Sequence, residues 1–123
     1  MRSNPGVEAA HSLSAPLGRI TIAPDVVAQI AGHAALESYG VVGMSARGRV
    51  GRLLSRDRPG QGVAVGHGEG GATLDLYVVC EYGLNLAEVA SGLRNRVRYD
   101  VERLTGLAVG SVEVHIQDVK TSS

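Results

Sequence analysis

The sequence predicts an α+β fold: a single domain with one mixed β-sheet and two helices packed on one face, in the order β-α-β-β-β-α-β. Three observations carry this. Residues 72–82 alternate apolar and polar side chains, the period of a half-buried strand. Residues 86–104 repeat apolar side chains at helical spacing between a capping Asn85 and a terminating Gly106. The chain has 123 residues, enough for one sizeable core, and holds no Trp or Phe and only four Tyr, so that core is built from Val, Leu, Ile and Ala.

Each element can be justified in chain order. Residues 1–17 show neither helical nor strand period and read as a flexible leader; they contain no apolar h-region of a signal peptide. Residues 18–119 form the single domain, and 120–123 a tail. Gly18 to Ile22 is a short alternating strand. Pro24 then suits the first helical position, with Val27, Ile30, Ala31 and Ala34 as the buried stripe and Gly40 as the stop. Gln29, His33 and Glu37 share another face, where His33 and Glu37 are spaced to pair. Ala23 offers this helix no side-chain cap. Val41 to Ala46 is a second extended segment.

Residues 47–60 carry five arginines against one aspartate, with only Val50, Leu53 and Leu54 as apolar anchors, and read as an Arg-rich loop. Val63 and Val65 belong to a third strand that enters the turn of residues 66–71. In the long strand, Leu74, Leu76, Val78, Cys80 and Tyr82 face one way, and Asp75, Tyr77, Val79 and Glu81 the other. The second helix buries Leu86, Val89, Ala90, Leu93, Val97, Val101 and Leu104. Val109 to Val119 is the last strand, with Val112, Val114 and Ile116 inward and Glu113, His115 and Gln117 outward. The long strand, second helix and last strand make a β-α-β unit whose two strands run parallel.

The blocks at residues 18–27 (Gly-Arg-Ile-Thr-Ile-Ala-Pro-Asp-Val-Val), 30–31, Glu37, 40–41 and 43–45 come first. Gly62-Val63, residues 76–79 and the junction from Tyr82-Gly83 to Val89 follow, then Thr105-Gly106-Leu107 and residues 112–116. In this order and spacing they resemble the alkaline shock, or envelope stress-response, family of small bacterial proteins, over residues 18–119. Ala23 departs from the hydroxyl residue usual there. The resemblance implies a non-enzymatic adaptor or scaffold in cell-envelope homeostasis or the regulation of fatty-acid metabolism. It implies as partners a membrane anchor protein, a fatty-acid kinase or acetyl-CoA carboxylase.

Catalytic and metal chemistry find no constellation here. The Gly-rich turn at 66–71 has neither a Lys nor a following helix to hold a phosphate. His11, His33, His67 and His115 are not spaced with other ligands, and no serine sits on a nucleophile turn. Cys80 lies in the buried register, and a lone cysteine forms no internal disulfide. No cofactor, metal or catalytic residue is expected.

The candidate contact residues are therefore surface ones. Tyr77 and Val79 are expected to be exposed on the outer sheet face beside His115 and Val119, as an apolar patch suited to protein contact, self-association first. Arg47, Arg49, Arg52 and Arg56 of the loop form a second candidate surface. Arg94, Arg96, Arg98 and Arg103 on the second helix are partly offset by Asp100 and Glu102, with Arg98 and Glu102 spaced to pair. A nucleic-acid-binding module using the loop arginines is the alternative, though a net charge of zero and scarce aromatics weigh against it. The location expected is cytoplasmic, with membrane association only through a partner.

Overall fold

The structure, a computed structural model, describes residues 13–14, 21–45 and 61–121. The Arg-rich loop, including Arg47, Arg49, Arg52 and Arg56, lies outside the described residues, as do residues 18–20, the tail beyond 121 and most of the leader. The elements are β1 (Leu13–Ser14), β2 (Thr21–Ile22), α1 (Pro24–Leu36), β3 (Val41–Met44), β4 (Val63–Gly68), β5 (Gly71–Glu81), α2 (Leu86–Thr105) and β6 (Val109–Lys120). The predicted α+β order from β2 onward is the one observed. Two features differ. Leu13–Ser14, inside the expected leader, pairs antiparallel with Thr21–Ile22, and that small ladder stands apart from the main sheet.

The main sheet is mixed. Along its whole length β5 pairs parallel with β6. Its other edge is shared: β4 lies antiparallel along the first part of β5 and β3 antiparallel along the last. The hand-over falls at Tyr77, whose amide donates to Gly62 O and whose carbonyl accepts from Ser45 N, both at 2.8 Å.

Side chains on β5 alternate as the sequence requires. Leu74, Leu76, Val78 and Cys80 are fully buried against the helices. Tyr82 is not the continuation of that row. The strand ends at Glu81, Tyr82 enters the turn, and its ring is exposed.

In α1, Pro24 occupies the first turn after an uncapped Ala23, while Val27, Ala31, Ala34 and Ala35 join the core. In α2, Asn85 Oδ1 accepts the amide of Glu88 at 3.2 Å, and Gly106, at φ +77°, ends the helix by donating its N–H to Glu102 O. Val89, Leu93, Val97 and Val101 form its buried stripe. Leu104 does not extend it: at 56% exposure it has rotated past the sheet. A straight helix turns about 100° per residue, so a long stripe drifts off a finite surface.

The last strand carries a bulge. Val78 pairs with Ile116 but Val79 with Asp118, leaving Gln117 as the extra residue. An extra residue reverses the alternation beyond it. Val119 therefore shares the helix-side row with Cys80, and Asp118 and Lys120 share the outer row with Val79 and Glu81. The expectation that Val119 lies beside Tyr77 on the outer face is corrected by this bulge.

At its start β6 is held from above. Ala72 N donates to Ala108 O, which turns the amide and carbonyl of Val109 away from β5. Glu102 Oε2 accepts that amide at 2.9 Å, and Arg98 Nη1 donates to that carbonyl. Two side chains of α2 thus stand in for a neighbouring strand. Beyond Val109, no strand among the described residues pairs with this edge of β6.

Candidate protein-contact surface

The outer sheet face is built by the non-core residues of β5 and β6. Parallel register sets Tyr77 beside His115 and Asp75 beside Glu113. The Tyr77 and His115 rings stack with centroids 4.5 Å apart and planes 10° from parallel. His115 Nε2 lies 2.9 Å from Asp75 Oδ1, so when the carboxylate accepts, Nε2 carries the proton. Asp75 and Tyr77 are two apart on one strand, hence on one face, and His115 reaches both from the next strand. His115 and Asp75 side chains are 40% and 38% exposed. The result is a half-open aromatic plate, oriented by a carboxylate and anchored through the backbone of Tyr77.

Val79 is not part of that plate's exposed surface. It is only 2% exposed although it points away from the helices, so the expectation that Val79 is exposed on this face is corrected. His115 and Tyr77 are brought together as expected. Asp75 was legible as an outer-face residue, but its bond to His115 depends on β5 and β6 being neighbours.

The helices make a different arrangement from the one their spacing suggests. Glu37 does not pair with His33; it accepts from Arg96 Nη2 of α2 at 2.7 Å. Arg96 Nε also bonds Asp100 Oδ2 at 3.1 Å, and these two carboxylates hold the guanidinium pKa above its ordinary value, Asp100 foremost. Arg98 and Glu102 do not pair with each other, since both are committed to Val109. Nothing local could have revealed the Glu37–Arg96 link, which joins positions 59 residues apart. Beneath it, Tyr39, Val89, Gly92 and Leu93 help line a groove of about 260 Å³ between the end of α1 and the first half of α2.

Remaining candidates for chemistry are dispersed. Cys80 is buried, and desolvation raises its thiol pKa, which keeps it protonated and unreactive. No cluster of three or more metal-ligating side chains occurs among the described residues. No helix of the described residues is long and apolar enough to cross a membrane.

Comparison with known proteins agrees over nearly the whole chain. The alkaline shock protein family, described as having a cell envelope-related function, matches residues 12–121. The uncharacterized protein YloU of Bacillus subtilis is 33% identical over 110 residues, covering 86% of this chain and 92% of the relative. The uncharacterized protein Spy1614 of Streptococcus pyogenes is 33% identical over 107 residues, covering 84% and 88%. The Bacillus subtilis uncharacterized protein YqhY is 32% identical over 106 residues, covering 85% and 78%. No solved structure matches. With its two helices over one face of a mixed sheet, the chain belongs to the alkaline shock protein family, whose function is related to the cell envelope.

Proposed function

We propose that this protein is a non-enzymatic adaptor of the cell envelope, working through protein–protein contacts on its outer sheet face. The observation that supports this is the Tyr77–His115–Asp75 plate, in which two rings are stacked and a carboxylate fixes their orientation at half-exposed positions. Aromatic side chains held rigidly before binding lose little conformational entropy on contact, which favours them at interfaces. Asp75 and Glu113 beside the plate favour a partner that brings donors or positive charge. In the family's envelope setting, a membrane anchor protein fits this role. The fatty-acid kinase and acetyl-CoA carboxylase implied by resemblance are the partners of the lipid-metabolism version of the same reading.

The test is affinity capture of the tagged protein in mild detergent, with and without nuclease, set beside the Tyr77→Glu and His115→Ala variants. Nuclease-resistant recovery of one such partner, lost in both variants while their circular dichroism is unchanged, supports the reading. Recovery that persists in both variants removes the plate from the contact. Recovery of nucleic acid alone, abolished by nuclease, replaces the adaptor reading with nucleic-acid binding.

A further inference from the structure

We infer that the open edge of β6 is a self-pairing edge, joining two copies of this chain antiparallel about a two-fold axis into one continuous sheet. The inference does not depend on the adaptor reading, which concerns the outer face rather than the edge.

The outer row of β6 is Ser111, Glu113, His115, Asp118 and Lys120, because the bulge at Gln117 shifts the later residues into the row of the earlier ones. A two-fold axis perpendicular to the sheet, passing midway between Ile116 and Gln117, sets Glu113 opposite Lys120 of the second copy and His115 opposite its Asp118. Each pairing occurs twice, since an isologous contact is reciprocal. On the helix side the same register sets Val114, which packs against the core, opposite the partly exposed Val119. No two like charges fall opposite one another. Sliding the copies by two residues in one direction sets Glu113 against Asp118, like charges that disfavour pairing, and in the other direction takes Glu113 off Lys120 and loses both of those pairs.

The bulge is what makes this complementarity possible. With strict alternation, Asp118 and Lys120 would lie on the helix side and could not meet Glu113 or His115 across the axis. The edge carries no Pro; Arg98 and Glu102 hold Val109 well away from the axis, and nearer it the Val119 amide donates to Asp118 Oδ1 at 2.8 Å, a local bond that a paired strand would replace. Among the described residues no strand pairs with the outer edge of residues 111–120, and a free strand edge is the kind that recruits another strand.

The test is a charge swap read by sedimentation equilibrium on the full 123-residue chain. Glu113 and Lys120 are both exposed, so Glu113→Lys and Lys120→Glu leave the core untouched. The wild type is expected to self-associate, and each single variant to do so about tenfold more weakly, because two opposite-charge pairs become two like-charge pairs. Mixing the two single variants is expected to restore association as a heterodimer, which only a Glu113-to-Lys120 register produces. The double variant Glu113→Lys/Lys120→Glu is expected to regain homodimers. A wild type that stays monomeric at millimolar concentration, or a mixture that associates no better than its components, overturns the inference. Neither result bears on capture of an envelope partner through Tyr77.

Discussion

Arg98 and Glu102 sit one helical turn apart with opposite charges, and they ignore each other. Arg98 donates to the carbonyl of Val109 while Glu102 accepts its amide, so the pair closes the first outward-facing backbone groups of β6. Hydrogen bonds from charged side chains to backbone are stronger than neutral ones. Glu102 is exposed and Arg98 half-buried, which keeps each contribution modest. Arg98→Met and Glu102→Gln are each expected to cost about 1 kcal/mol. Urea denaturation measures that, and hydrogen exchange at the Val109 amide should quicken in Glu102→Ala well beyond the change at neighbouring amides.

The two ends of the α2 stripe give a second contrast. Leu93 is buried among Val89, Val97 and the sheet, whereas Leu104 is largely exposed. Leu93→Ala is expected to destabilise by about 2–5 kcal/mol through lost burial and the cavity left behind. Leu104→Ala should change stability by less than about 0.5 kcal/mol. Thermal melts of the two variants check both.

Two glycines of the helix layer should respond in opposite directions to alanine. Gly40 has φ +87°, and a Cβ there would sit 2.7 Å from Val89 Cγ2, a buried branched methyl that cannot swing aside. Gly40→Ala is expected to cost about 2–4 kcal/mol from backbone strain plus overpacking. Gly92 lies mid-helix with nothing within 4 Å of its would-be Cβ. Gly92→Ala is expected to stabilise by about 0.5–1 kcal/mol, while adding a methyl to the groove lined by Tyr39 and Arg96. Urea denaturation of the two variants reads both signs.

Burial of Cys80 couples stability to alkaline pH. The folded thiol has its pKa raised above its ordinary 9.0 by desolvation, so the folded state holds its proton where the unfolded state releases it. Its contribution is fully present below that ordinary value and declines as pH rises beyond it. Cys80→Ala should flatten this alkaline loss in urea melts taken across about pH 8–10. At about pH 8 a thiol reagent should label wild-type protein only as fast as the chain opens, with the labelling rate rising in step with denaturant.

Much of the fold could be read directly from residue patterns. The alternation of β5 and the capped stripe of α2 are local signals, and both elements stand where the pattern puts them. Errors collect where a distant neighbour decides. Gln117 looks like an ordinary alternating residue until β5 shows it to be the extra one. Val79 looks exposed because the sequence does not reveal what covers the outer face. Glu37 has a nearer partner in His33, but folding brings Arg96 closer. For the contact surface, Tyr77 and His115 were visible as outer-face residues, whereas their stacking needs the parallel register of β5 and β6. Leu13–Ser14 is too short a strand to leave any periodic trace.

Tyr77 binds Gly62 with its amide and Ser45 with its carbonyl, so the end of β3 and the approach to β4 are held against one residue of β5. Whatever lies between those two anchors enters and exits through one gate. Lengthening that stretch changes the closure entropy only slowly, by about 0.6 kcal/mol for each doubling. The entropic cost of joining β3 to β4 is therefore nearly insensitive to how many residues make the connection.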